Sequence, residues 1–327
     1  EESVFYYPAD EFIAADMTIA SPELRAQRIA TLDHLARGTA GIYVLPIAGM
    51  RKYITSKKQW LLSFLQATVG EEIDMDSWLA QLVAMGYTRN GMVTAPGEFA
   101  ARGGILDIYP PYAESPLRIE LFDTEVDSIR SFDADTQRSI EKLDSVRILP
   151  AVEILLSTEE RIKVAERLEE ALANSLKKVK KPEIQELLVQ NIQYDIAMLR
   201  EGNLPDHVNK YGSLLFEDKT FLGDYFAQDG IVLFDELGRI QEVMDAWERE
   251  ETEWFLSLIE EGKMLHDVKL SFSFKEITSM IRQQKLYLAL FTRTFANIRF
   301  SKTSNFSCKP MQQFHGQIAL LQNEIER

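Results

Sequence analysis

Residues 96 to 138 read PGEFAARGGILDIYPPYAESPLRIELFDTEVDSIRSFDADTQR, and this stretch limits the fold more than any other part of the chain. Pro96-Gly97 is a turn signal, Gly103 to Tyr109 is predicted as a strand, and Pro110-Pro111 ends it. Gly103 and Gly104 are read as a bulge or a close backbone approach within that strand. A polar loop over Tyr112 to Ser115 leads to a second strand, Leu117 to Asp123. Successive strand side chains point to opposite sides, so Leu117, Ile119 and Leu121 share one face and Arg118, Glu120 and Phe122 the other. The first is a core face. The second sets a phenylalanine beside an arginine where polar residues would suffice, which is the composition of a binding surface with an aromatic anchor. A turn over Asp123 to Glu125 and a third strand, Val126 to Phe132, complete a small antiparallel sheet. The blander reading pairs Arg118 with Glu120 inside the domain and leaves Phe122 incidental.

Composition narrows the function classes. At 327 residues the chain has room for two or three domains, and 46% hydrophobic with 27% charged residues is an ordinary globular balance. A formal net charge of -15 argues against a generic nucleic-acid surface, which needs a positive face. Cys308 is the single cysteine, so neither an internal disulfide nor a cysteine metal cluster is expected, in keeping with a reducing cytoplasm. His34, His207, His266 and His315 are too widely spaced to suggest a metal site, and no catalytic residue stands out. No apolar run approaches the roughly 20 residues of a membrane span, and the opening Glu1-Glu2-Ser3 does not read as a secretory leader.

The flanks of the central stretch read differently. Ser3 to Tyr7 is predicted as a short strand, and Ser21-Pro22-Glu23 starts a helix that Gly38 stops. Gly41 to Pro46 (GIYVLP) has the look of a buried parallel strand, so the opening reads as part of a larger α/β domain whose phosphate loop would lie upstream of Glu1. Asp76 to Met85 is predicted as a helix with Leu79, Leu82 and Val83 inward and Gly86 as its stop, and Leu143 to Pro150 closes a compact α+β unit. Beyond it the chain turns helical. Ser157 to Glu160 is a capping box ahead of a stripe of Ile162, Ala165, Leu168, Ala171 and Leu172, and Pro182 starts another helix. Lys177 to Lys181 (KKVKK) is read as a solvated helix end in preference to a phosphate-contacting patch.

Ile231 to Phe234 followed by Asp235 and Glu236 resembles the strand that, in phosphate-loop ATPases, delivers an aspartate to magnesium and a glutamate to water. The partner motif GxxxxGK[ST] is absent from the sequence, so Asp235 and Glu236 are read as a degenerate remnant of a nucleotide site. A long helix over Leu237 to Leu265, a shorter one capped at Ser273, a buried strand over Leu286 to Thr292 and a helix over Gln317 to Arg327 are expected to follow.

Phe5 to Leu32 (FYYPADEFIAADMTIASPELRAQRIATL), Ala95 to Arg138 and Phe306 to Gly316 (FSCKPMQQFHG) together resemble the amino-terminal part of bacterial transcription-repair coupling factors, the Mfd family, of the Gram-positive type. That region is similar in turn to the excision-repair protein UvrB. The resemblance implies an α/β fold: an incomplete, helicase-like (P-loop NTPase-like) parallel-sheet layer, split between residues 1–57 and 151–327 with a helical segment in the second part. An inserted α+β domain at residues 58–150 would dock on UvrA. The family's contacts to UvrA match Arg102, Arg118 and Phe122 in this sequence, where a planar guanidinium suits a partner carboxylate held by two parallel hydrogen bonds. Asp107, Arg130, Asp133, Asp135 and Arg138 are read as intradomain ion-pair partners. The family recognises stalled RNA polymerase, displaces it by ATP-driven translocation on double-stranded DNA and recruits UvrA, so ATP, magnesium, polymerase and DNA are expected of a full-length parent. Neither a phosphate loop nor UvrB's DNA-gripping aromatic hairpin is visible here, so this chain is expected to bind UvrA with no cofactor and no hydrolysis of its own. The alternative is a UvrB-like nucleotide- and DNA-binding subunit that uses Asp235 and Glu236.

Overall fold

The computed structural model of the chain describes residues 3–9, 21–205, 207–291 and 298–306. Cys308, His315 and the helix expected over Gln317 to Arg327 lie outside the described residues. The chain divides into two units, Glu1–Ala289 and Leu290–Arg327, and every element named below belongs to the first.

β1 (Val4–Tyr6) leads to α1 (Pro22–Arg37), whose N-cap Ser21 accepts from the Leu24 amide and whose C-cap, Gly38, takes the left-handed conformation at φ 71°. β2 (Ile42–Val44) then pairs in parallel with β1. Phe5 and Tyr43 stack at 4.9 Å and Phe5 meets the His34 ring of α1, so one side of this pair is covered. The other side exposes Val4, Tyr6, Ile42 and Val44, which corrects the buried strand expected for Gly41 to Pro46. An apolar run specifies burial only when further strands or helices sit on both faces.

A short α2 (Lys57–Trp60) precedes β3 (Leu65–Thr68) and α3 (Met75–Ala84), which Gly86 terminates at φ 86°. Trp78 and Leu82 face inward and Leu79 packs beside them, whereas Val83 is exposed, contrary to expectation. β4 (Thr88–Arg89), β5 (Glu98–Arg102), β6 (Ile105–Ile108), β7 (Leu117–Phe122), β8 (Glu125–Phe132) and β9 (Ser139–Leu143) form one six-stranded sheet in sequential order. It is antiparallel except for the β4–β5 pair. Gly103 and Gly104 are not in a strand: they form the two-residue loop of the β5–β6 hairpin, with Arg102 opposite Ile105. Close approach does apply, because a Cβ on Gly104 would sit 2.7 Å from the Leu121 carbonyl oxygen. β10 (Ser145–Ile148) leaves this sheet and pairs with β3. Leu106, Ile119, Val126 and Ile129 from the sheet, Ala67 and Ile148 from the β3–β10 pair, and Trp78 and Leu82 from α3 close a single core.

α4 (Thr158–Leu176) carries the complete capping box at Ser157 and Glu160, and α5 (Pro182–Arg200) packs along it. Val164, Ala165, Leu168 and Leu172 make the buried stripe of α4, while Ile162 is exposed. β11 (Ile231–Asp235), α6 (Leu237–Glu260), α7 (Phe274–Met280) and β12 (Gln284–Leu288) complete the unit. β11 and β12 pair in parallel, and Phe234 stacks on Tyr287 at 5.1 Å. Ile231, Leu233, Leu286 and Leu288 remain exposed on the other side, so the strand expected to be buried from Leu286 is only half-buried on one side and exposed on the other. Among the described residues the fold is therefore mixed α/β, with two separate parallel pairs flanking in sequence a six-stranded sheet whose one parallel pair is β4–β5.

Two buried charge clusters tie the ends of the sheet-bearing segment to α1. Glu153 accepts from Tyr7 Oη at 2.7 Å and from Arg28 Nε at 2.9 Å, while its carbonyl accepts from the Thr55 hydroxyl. Burial alone would raise the Glu153 carboxyl's pKa, but the charges of Arg28 and Lys52 and these hydrogen bonds outweigh it and hold the pKa below its ordinary value. Asp33 takes Arg37 at 3.0 Å on one oxygen and Arg147, at the end of β10, at 2.9 Å on the other.

Candidate partner-binding face

Cross-strand register decides which side chains share the outer face of the six-stranded sheet. One row runs Arg102, Ile105, Glu120, Ser128; the next runs Ala100, Asp107, Arg118, Arg130, Lys142. Both rows lie opposite the core rows through Leu106 and Ile119, because neighbouring positions on a strand alternate. Phe122 is two residues beyond Glu120 on β7 and points the same way. The three residues singled out in the sequence therefore share one side of one sheet.

Their environments differ. Phe122 is 79% exposed at the tip of the β7–β8 hairpin, where Asp123 adopts φ 58° to make the turn. Ile105, 38% exposed, lies diagonally across from it. Arg102 is exposed at the end of β5 and donates through Nε and Nη2 to the Gly91 carbonyl. Arg118 is not a free cation. Its Nε donates to Asp107 Oδ1 at 2.6 Å and its Nη2 to Asp107 Oδ2 at 2.8 Å, a bidentate pair in which the carboxylate is 7% exposed. Nη2 also donates to Gln137 Oε1 at 3.0 Å, and the guanidinium lies 4.4 Å above the centre of the Phe132 ring. The Asp107 hydrogen bonds raise the pKa of Arg118 above its usual value.

The blander sequence reading had the wrong partner. Glu120 pairs with Arg130, which also reaches Ser128, so the ion pairs alternate across the strands. The fork of Arg118, expected to serve a partner's carboxylate, is taken by the chain's own Asp107. Gln137 is held in place by the β8–β9 loop, where Asp133 caps the Thr136 amide at 2.7 Å and Gln137 Nε2 donates to the Ala134 carbonyl. Sequence reasoning missed Ile105, Phe132 and Gln137 as parts of this face. A signal existed for Ile105 alone, since it follows directly on the Gly103-Gly104 turn that aligns it with Arg102.

Residues 65–153 match the family described as the UvrB interaction domain. The match takes in the whole six-stranded sheet and the β3–β10 pair. Beyond that segment, the alignment with the transcription-repair-coupling factor of Bacillus subtilis (strain 168) runs over all 327 residues at 43% identity. Over 330 aligned residues the identity is 35% to that of Staphylococcus aureus strain bovine RF122 / ET3-1 and 34% to that of strain MRSA252. In each case the whole chain is covered but 28% of the relative, so the chain spans little more than a quarter of their length.

Outside residues 65–153, Asp235 is exposed at the end of β11, and Glu236 follows at φ 55° as the N-cap of α6, its amide donating to the Leu288 carbonyl. Lys178 of the KKVKK run pairs with Asp267, and Lys177 bonds Asn174 at the end of α4. No group of three or more metal-ligating side chains occurs among the described residues, and no described helix is long and apolar enough to cross a membrane.

Proposed function

We infer that the outer face of the UvrB interaction domain, centred on Arg102, Arg118 and Phe122, binds UvrA and so recruits it in transcription-coupled excision repair. The observation that carries the reading is the Phe122 ring, 79% exposed on the face that also bears both arginines. A large apolar side chain left in water beside charged groups is what an interface core needs before its partner arrives. The family match and the names of the aligned relatives support the same assignment.

On this reading residues 58–150 are an inserted recruiting domain, and residues 1–57 and 151–327 form a helicase-like frame that holds it. The exposed apolar sides of the β1–β2 and β11–β12 pairs support the frame, since they are surfaces that a wider parallel sheet would cover. The chain itself would bind no cofactor and hydrolyse nothing. ATP, magnesium, translocation on double-stranded DNA and contact with RNA polymerase would belong to the longer cytoplasmic protein. Titrating UvrA with the chain and with Arg102→Ala, Arg118→Ala and Phe122→Ala tests the assignment. Loss of a central anchor is expected to weaken binding by about 2 kcal/mol or more, and parental affinity in all three variants would remove it.

A further inference from the structure

The donor inventory of Arg118 says more about how this face works. A guanidinium has five N–H groups. The Nε hydrogen and both Nη2 hydrogens are committed within the domain, to the two oxygens of Asp107 and to Gln137. The plane is fixed as well, by the Phe132 ring beneath it. What remains is the Nη1 edge, with two hydrogens in a set direction.

We propose that Asp107 is a positioning residue for partner binding, assisted by Gln137. It holds Arg118 so that Nη1 alone faces the partner, which presents a single acceptor oxygen there in place of a bidentate carboxylate. The proposal rests on the assignment of this face to UvrA. Pre-ordering matters because a free arginine side chain carries a large rotamer entropy, part of which binding would otherwise have to overcome. With Asp107 in place that ordering occurs on folding. The neighbouring Arg130 and Glu120 neutralise each other in the same way, so Arg102, held by a backbone carbonyl, carries uncompensated positive charge into the contact.

Asp107→Asn tests this with little change of shape, because an amide nitrogen cannot accept and would face the Nη2 donor. UvrA affinity is measured by titration for the parent, Asp107→Asn, Arg118→Ala and the double variant, each well below its own melting midpoint. Gln137→Ala is carried through the same cycle, since it removes the second prop without touching a buried carboxylate. Expected is a loss of about tenfold from Asp107→Asn and a smaller loss from Gln137→Ala when Arg118 is present, with less than about twofold from either in the Arg118→Ala background. Equal losses in both backgrounds would mark Asp107 as merely structural, and no loss with Arg118 present would equally overturn the proposal. Arg102→Ala and Phe122→Ala separate the two levels. If they bind UvrA as the parent does, the assignment of the face fails; if they weaken binding while Asp107→Asn does not, only the positioning role fails.

Discussion

Arg102, Arg118 and Phe122 share a face but not an energetic role, and substitutions should separate them. Phe122 and Arg102 are exposed and contribute little to the domain's own packing, so Phe122→Ala and Arg102→Ala are expected to stay within about 0.5 kcal/mol of parental stability. Arg118→Ala leaves the Asp107 carboxylate buried and unpaired, which is expected to cost about 3 kcal/mol, the lower end for a broken buried pair because Arg118 itself keeps 20% exposure. Urea denaturation of the three variants measures the contrast. Equal stabilities would mean that the Asp107 pair adds nothing to folding. The shared face of Arg118 and Phe122 was legible in the sequence because alternation needs no knowledge of neighbouring strands. Asp107 was legible as an intradomain ion-pair partner, but not as the partner of Arg118. Its pairing depends on the loop from Tyr109 to Pro116 setting the β6–β7 register, and Glu120 was the nearer acid in sequence.

Among the elements, what local chemistry dictates was legible. Ser21 and Gly38 bound α1, and the Ser157 box starts α4. β9 escaped notice because SIEKL is an edge strand whose charged, exposed residues show no apolar alternation. The extra residues on β8 and β9 are equally silent in the sequence: Asp127 is skipped between the Glu120–Ser128 and Leu121–Val126 pairs, and Ile140 between Ser131–Glu141 and Phe132–Ser139. The Gly103-Gly104 loop was visible as a backbone requirement but assigned to the wrong element. Its two glycines are needed for different reasons, one for φ 58° and one for room. Gly103→Ala is expected to cost about 1 kcal/mol through backbone strain. Gly104→Ala is expected to cost about 1 to 3 kcal/mol because the new methyl group meets a carbonyl that cannot rotate away. Denaturant midpoints of the two variants give the order directly.

For the whole molecule, the partly exposed Glu276 and the ion-paired Glu153 shape the response to pH. Burial opposes ionisation of Glu276, yet the Lys269 and Ser273 hydrogen bonds prevail and hold its pKa at about 2, while that of Glu153 is also lowered. The unfolded chain, with carboxyl pKa near 4.5, therefore takes up protons first as pH falls. The stability these groups add is fully present above that value and is lost progressively toward about pH 2. A thermal melt series from about pH 6 to about pH 3 is expected to show a falling midpoint. Glu153→Gln should start lower and fall less steeply over the same range, and parallel slopes would remove Glu153 from the account. Tyr7, Arg28, Thr55 and Glu153 come from four distant parts of the chain, and sequence order alone does not bring them together. Through Glu153 and through Arg147 with Asp33, the segment that carries the sheet is fastened to α1 at two places. A hinge with one pin swings, whereas a bracket with two does not. Whatever the hairpin tip touches is therefore met at an angle set by this mount and not by the slack of a tether.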